Sequence, residues 1–316
     1  MRGIWASSQE ESKKNIQNKR DIISAREHQP PLSFPDGWDF EKILNVFLSF
    51  SIDGSAAGEL APYAQQDCER FIYTWGLLDG LHGNVLEIGA NPYFTTLLIK
   101  KFTNLIPTLT NYFGPVSEIN KDSCQILTYM DPETGHSTEY MRYINLNIEE
   151  QKFPFENESF DVVLFCEVLE HLLMDPLACL REISRVLKPN GRLILTTPNV
   201  ARLENIARMI QGSNIYDPYS GYGPYGRHNR EYNRHEIVQM LNYVGFEPEI
   251  IYTADVHEHA AYNFVSPQTI STALDGRQDR KNDLGQYIFS RSIKRQKPQE
   301  KKPRWLYRSY PDGELE

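Results

Sequence analysis

Residues 84–101, reading NVLEIGANPYFTTLLIKK, constrain the fold more than any other stretch. Val85, Leu86 and Ile88 form a short apolar run that stops at Gly89, and Pro92 opens a segment with helical spacing. The pattern predicts a strand, a tight turn and a helix. Such a corner binds ligands, because backbone N–H groups and a helix N-terminus face open space there and a glycine lets a ligand approach the main chain. The nearest acid is Glu87, two residues before the glycine.

Spacing narrows the ligand. A dinucleotide fingerprint needs G-x-G-x-x-G, but counting from Gly89 the next two glycine positions hold Asn91 and Phe94. This counts against a nicotinamide-dependent oxidoreductase. An acid just ahead of the glycine instead suits a ligand with a cationic amine. Glu87-Ile88-Gly89 resembles the first motif of the class I S-adenosylmethionine-dependent methyltransferases, whose full form is E/D-x-G-x-G-x-G; Asn91 and Tyr93 stand at the later glycine positions. The bland reading of the corner is an ordinary strand-to-helix turn.

Three more stretches carry the resemblance. Residues 145–165, NLNIEEQKFPFENESFDVVLF, are similar to the segment in which a polar residue after the third strand meets the adenine and a P-F-x-x-x-S-F-D run leads into the fourth strand. Residues 166–171, CEVLEH, resemble the family's fourth motif. LREISRVLKPNGRLILTTPN resembles the helix, turn and fifth strand that follow it. Together the matches span residues 80–200. They imply an α/β fold, a doubly wound Rossmann-like sheet of seven strands, mostly parallel with an antiparallel last strand. S-adenosylmethionine is the implied cofactor.

Residue by residue, the resemblance implies cofactor contacts from Glu87, Gly89, Ala90, Asn91, Asn111, Asn147, Ile148, Cys166 and Glu167. Asn111 ends the predicted second strand (residues 107–112), where folds of this type place a ribose-binding acid. Residues 124–130 and 139–146 alternate like a hairpin pair, the latter being the third strand. Phe160 to Phe165 has the near-continuous apolar character of a central parallel strand. Glu167 and His171 are four apart and would share a face if helical, but two ligands without a third do not make a metal site, and no metal is expected.

Other elements follow from periodicity. Apolar spacing predicts helices over residues 39–50 and 63–81, read as packing elements ahead of the first strand, and over 175–188, 201–210 and 235–244. Residues 246–252 and 286–294 read as the last two strands. Between the fifth strand and the helix near Asn233 lies a long segment rich in Tyr216, Tyr219, Tyr222, Tyr225 and Tyr232, followed by Arg227, His228 and Arg230. Insertions of this length at a ligand-facing edge act as lids or substrate loops, and aromatic faces with hydroxyl tips suit a sugar ring. The expected acceptor contacts are Tyr222, Tyr225, Arg227 and Arg230, with His228 as general base and His171 as the alternative. The loop also resembles methyltransferases of bacterial polysaccharide and glycan biosynthesis.

The expected organisation is a flexible segment 1–35, a methyltransferase domain 36–294 with a substrate lid at 200–235, and a polar tail 295–316. Trp305, Leu306, Tyr307 and Tyr310 in that tail would strap onto the body, reach a second subunit or fray. A formal charge of −9 argues against nucleic acid as a partner. Cys68, Cys124, Cys166 and Cys179 form no C-x-x-C pair and read as reduced thiols in a cytoplasmic protein. Acidic and basic residues occupy the N-terminal region where a signal sequence would be apolar, and no run is long enough for a membrane span. The partner expectations are a small-molecule or glycan acceptor and a homodimer. The activity expected is O-methylation of a carbohydrate hydroxyl; the alternatives are a non-catalytic scaffold of the same fold, or methyl transfer to a quinone or lipid.

Overall fold

The computed structural model describes residues 29–55, 58–114 and 120–316. Its centre is a mixed nine-stranded sheet in the order β1-β4-β5-β3-β2-β6-β7-β9-β8. The strands are β1 (Ser51–Ile52), β2 (His82–Ile88), β3 (Asn104–Asn111), β4 (Asn120–Asp131), β5 (Gly135–Asn145), β6 (Phe160–Cys166), β7 (Leu187–Pro198), β8 (Phe246–Ala254) and β9 (Tyr287–Lys294). Strands β5, β3, β2, β6 and β7 run parallel, and β9 lies antiparallel between β7 and β8.

The expectation of seven strands is corrected to nine among the described residues. The expected hairpin forms, but its first arm, β4, pairs antiparallel along the outer side of β5, and the two-residue β1 covers β4 in turn. An uncovered β5 would present a long row of unpaired backbone groups; the hairpin moves that edge outward to β4, on which β1 pairs with Leu127 and Thr128.

Side chains alternate across the parallel strands, so both faces are apolar. Leu86, Ile88, Val163, Phe165, Leu193 and Leu195 point to one core, where α4 (Pro176–Val186) and α6 (Arg234–Tyr243) contribute Leu180, Ile183, Ile237 and Leu241. Val85, Val162, Leu164, Ile194 and Phe289 point the other way, against Tyr73 and Leu77 at the end of α2 (Ala61–Gly76) and Ile99 of α3 (Phe94–Phe102). A third core joins α1 (Phe40–Leu48), α2 and α3 to β4 and β5 through Phe47, Phe50, Phe71 and Phe94. Helix starts follow the sequence signals. Asp175 caps α4 by accepting the Ala178 N–H, and Asn233 and Glu236 form a reciprocal capping box on α6. Two short helices, α5 (Leu203–Gln211) and α7 (Pro267–Ala273), form a small separate cluster through Leu203, Ala207 and Ile270. No helix among the described residues is long and apolar enough to cross a membrane.

Of the segment expected to be flexible, residues 1–28 lie outside the described residues. Leu32 and Phe34 pack on the core, and the Tyr73 hydroxyl donates to the Pro30 carbonyl (2.9 Å). The far end of the chain is a strap. Tyr307 and Leu315 are buried in the core beside α4 and α6, and the Tyr307 hydroxyl accepts the Leu177 N–H (3.2 Å) and donates to the Asp175 carboxylate. Removing this ring leaves a cavity and strips the cap residue of α4 of a partner. Tyr307→Ala should therefore cost about 3–5 kcal/mol in urea unfolding; a loss under about 1 kcal/mol would mean that the strap only rests on the surface.

Candidate functional site

A cleft of about 250 Å³ opens at the carboxyl ends of β2, β3, β5 and β6, lined by Gly89, Asn91, Asn111, Asn147, Glu167 and Tyr225 together with Ile88, Ile148, Val168 and Leu172. Its floor is the turn between β2 and α3. Gly89 sits at φ 73°, and a Cβ there would stand 2.9 Å from the Val168 side chain, so the turn passes close under the 166–171 segment.

The turn departs from the expectation of open backbone donors. Gly89 and Ala90 both donate their N–H to the Thr110 carbonyl (2.9 and 3.1 Å), and the Asn91 N–H donates to Asn111 Oδ1 (2.8 Å). These three N–H groups are thus already engaged within the protein. The substitutions at the glycine positions have a physical account. Tyr93 keeps a glycine-like left-handed backbone, φ 74°, although it is a bulky residue. Its ring is fully buried among the aromatic residues of α1 to α3, and its hydroxyl donates to Gln125 Oε1 (2.6 Å) and accepts from Asn111 Nδ2 (3.0 Å). Asn91 Nδ2 donates to the same Gln125 oxygen (3.1 Å). Gln125 lies on β4, so the added hairpin braces the turn. Sequence reasoning missed this residue because nothing local marks it.

Glu87 lies beneath the turn and does not line the cleft. Its carboxylate accepts from Thr96 Oγ1 (2.6 Å), and burial, only partly offset by that bond, pushes its pKa up to about 8. Cys166 also stays off the cleft surface, and burial pushes its thiol well above the usual range. Asn147 caps its own turn by accepting the Glu149 N–H (3.0 Å), and its Nδ2 approaches the Tyr225 hydroxyl (3.4 Å). Tyr225 packs edge-on to Tyr112 and closes this wall.

After β6 the chain does not form the helix on which Glu167 and His171 would share a face. Glu167 takes φ 55°, and only a 3₁₀ turn, Leu169–His171, follows. Glu167 instead accepts from Thr196 Oγ1 (2.7 Å) and faces the buried Arg70 of α2 (3.9 Å). Burial raises the Glu167 carboxyl, with Arg70 opposing. Arg70 also meets Asp67 and Tyr63 and stacks near Tyr287. Its sequence signal was a lone cation inside the apolar run of a helix read only as packing.

The tyrosine-rich loop is clamped to the 3₁₀ turn. The N–H groups of Asn229 and Arg230 both donate to the Glu170 carbonyl (2.8 and 3.1 Å), and Asn229 Nδ2 donates to the His171 carbonyl (2.9 Å). This brings His228 edge-on to His171, ring centroids 5.1 Å apart. His171 lines the main cleft; His228 lines a neighbouring cleft of about 440 Å³ with Tyr216, Asp217, Arg230, Glu231 and Glu236. Burial and the adjacent His228 lower the pKa of His171. Burial opposes charge on His228 too, but the bond to Glu231 and the nearby Glu170 and Asp217 carboxylates outweigh it and raise its pKa. Of the expected acceptor contacts, Tyr225 reaches the main cleft. Tyr222 is 92% exposed, and Tyr219 and Tyr216 are largely exposed too, Tyr216 while lining the neighbouring cleft. The Arg227 guanidinium stacks on Tyr219 (4.6 Å) and donates to Asn229, and that of Arg230 donates to Glu236 (2.7 Å). Glu170 was overlooked, although it is the second acid of CEVLEH. One candidate ligand atom each from Glu170, His171 and His228 lies within 4.8 Å of the others, whereas Glu167, the expected partner of His171, is not among them.

Two measurements test this geometry. Because the folded state holds the Glu87 proton more tightly than the unfolded chain, whose value is near 4.5, that group's contribution is fully present below pH 4.5 and is lost as pH rises towards 8. Urea unfolding across this range should show wild type losing stability relative to Glu87→Gln; a pH-independent difference would contradict it. Asn111→Asp removes the donor to Tyr93, and should destabilise the protein by about 1–3 kcal/mol at neutral pH. An unchanged midpoint would show the turn network to be dispensable.

Residues 117–195, about a quarter of the chain, match a protein-family model described as Methyltransferase domain. Among curated proteins, a ubiquinone biosynthesis O-methyltransferase of Aliivibrio fischeri is 27% identical over 144 residues, which cover 45% of this chain and 56% of that protein. The Vibrio vulnificus protein of the same name is 28% identical over 144 residues, with coverages of 45% and 55%. The chain thus spans about half the length of the curated relatives it matches. A solved SAM-dependent methyltransferase from Archaeoglobus fulgidus aligns over 74% of this chain and 99% of its own, at 13% identity and a TM-score of 0.43. Residues 117–195 are thus similar to a methyltransferase domain, a family whose cofactor is S-adenosylmethionine.

Proposed function

We propose that the chain is an S-adenosylmethionine-dependent methyltransferase that methylates a hydroxyl oxygen, and that the acceptor is a carbohydrate or glycan precursor. The observation that carries this reading is the cleft over Gly89, which runs from Asn111 and Asn147 at one side to Glu167, His171 and the adjoining His228 at the other. The cofactor fits the donor set. Gly89 leaves room over the turn, Asn111 and Asn147 offer amides for the ribose and adenine, Ile148 and Leu172 offer apolar contact to the base, and Glu167 offers a carboxylate for the cationic amine. Ala90 and Asn91 shape the floor, while Glu87 and Cys166 support it from below.

When bound, the cofactor supplies a methyl group already activated on a sulfonium. What remains for the protein is alignment and removal of the acceptor proton. Gly89, Asn111, Asn147 and Glu167 would hold the cofactor so that this methyl group faces the acceptor oxygen. The His171–His228 pair is the centre at which the hydroxyl loses its proton. Segment 200–235 acts as the acceptor lid: Tyr225 closes the cofactor side, and Tyr216, Tyr219 and Tyr222 present exposed rings that suit a sugar face. Arg227 and Arg230 hold the lid in shape through Tyr219 and Glu236 and flank the acceptor entrance.

A second reading, a quinone-type phenol as acceptor, is favoured by the names of the curated relatives. Calorimetry with S-adenosylhomocysteine tests the shared part: wild type should bind one equivalent, and Asn147→Ala should bind about tenfold more weakly, as for one lost hydrogen bond. No saturable binding by folded wild type would refute the proposal and favour a scaffold. Methyl uptake from labelled cofactor into sugar nucleotides and oligosaccharides is expected; uptake only into polyprenylated phenols would replace the carbohydrate with the second reading.

A further inference from the structure

We propose that Glu170, His171 and His228 bind one divalent first-row transition-metal ion at the junction of the two clefts. One candidate ligand atom from each residue falls in a group whose members all lie within 4.8 Å of one another. Proximity alone would not single out this cluster. The decisive feature is Glu170, which has no solvent exposure at all. Its Oε2 accepts from Thr197 Oγ1 (2.9 Å), but its Oε1 accepts no hydrogen bond and lies 3.8 Å from His171 Nε2. A buried carboxylate oxygen without a donor is costly, and a cation between it and the imidazoles would remove that cost.

The histidines are prepared in the same sense. His171 Nδ1 lies 3.0 Å from the Arg227 carbonyl, which can only accept, so Nδ1 carries the proton and Nε2 presents a lone pair. His228 Nδ1 lies 2.9 Å from Glu231 Oε1, and the other Glu231 oxygen pairs with Arg202. A neutral His228 therefore donates from Nδ1 and also presents Nε2. Metal-ligating histidines are held this way, with the distal N–H bound to a carbonyl or carboxylate that fixes the ring and its tautomer. The same observation sets aside the neighbouring group Asp217, His228 and Glu231 as a hydrogen-bonded support for His228, since its shared nitrogen is already engaged. The backbone clamp from Asn229 and Arg230 to Glu170 then explains why the loop returns to the 3₁₀ turn: it completes the ligand set.

One carboxylate oxygen and two imidazole nitrogens select zinc, manganese, iron or cobalt over magnesium and calcium, which favour oxygen-only shells, and three protein ligands leave a position open. The purpose of the ion rests on the methyl-transfer reading. Through the open position it would bind the acceptor hydroxyl oxygen and lower its pKa, the proton passing to water and the freed lone pair facing the methyl carbon.

The test is independent of turnover. Protein stripped with EDTA and dialysed is titrated with cobalt chloride alone, following visible absorption, and with zinc chloride alone by calorimetry. One saturable equivalent is expected, with affinity falling at least tenfold in Glu170→Gln and in His228→Gln. His235→Gln, on the exposed side of α6, should bind as wild type does. Circular dichroism and unfolding of the metal-free variants establish that they are folded; if either is not, His171→Asn takes its place. Absence of saturable binding, unchanged affinity in the ligand variants, or equal affinity for magnesium would overturn the site. S-adenosylhomocysteine binding is measured on the same samples, so loss of the methyl-transfer reading and loss of the metal site register separately.

Discussion

The structure depends on a left-handed backbone at a residue that does not favour it. Tyr93 must adopt φ 74° for the chain to leave β2, turn under the cleft and enter α3, and a bulky residue resists that conformation. Burying the ring and tying its hydroxyl to Asn111 and Gln125 offset the resistance. One hydroxyl thereby links the turn to the end of β3 and to the hairpin arm β4. Asn91, held by both of the same partners, completes the arrangement. A glycine-poor turn is here an interlocked one, and the loss of glycines does not imply the loss of a cleft.

The second organising contact is between the 3₁₀ turn after β6 and the loop that follows β7. Two backbone N–H groups on one carbonyl, supported by the Asn229 amide, fix the histidine of one segment against that of the other. The exposed tyrosines thus hang from a well-anchored base. Backbone-anchored contacts where the histidines meet thus stand a few residues from rings open to solvent.

Legibility in the sequence followed the range of the interactions involved. The parallel core, its helices and the antiparallel last strand were readable because apolar period and capping residues are local signals; β6 and α4 appear almost where periodicity puts them. The hairpin was readable as well, but not its consequence for strand count, since edge pairing is decided by the neighbour to be covered. The cleft-lining positions Gly89, Asn111, Asn147 and Glu167 followed from motif order. The roles of Gln125 and Arg70 did not, because each acts on residues that are distant in the sequence, 32 positions away for Gln125 and Tyr93. CEVLEH was legible as a motif but misleading in geometry: four-residue spacing suggests a shared helical face, whereas the left-handed Glu167 turns the chain so that Glu170 faces His171. His228 stands 57 positions after His171, so only the fold could join them.

Arg70 has a consequence for how this chain can be divided. It belongs to α2, well ahead of the segment that matches the methyltransferase family, yet it supplies the cation nearest Glu167 and a platform for Tyr287 on β9. A fragment that began at β2 would retain every strand that frames the cleft and still present an altered electrostatic floor, with one half-buried acid deprived of its counter-ion. The functional unit is therefore wider than the recognisable one. Its electrical boundary lies in a helix that a search for motifs would trim away.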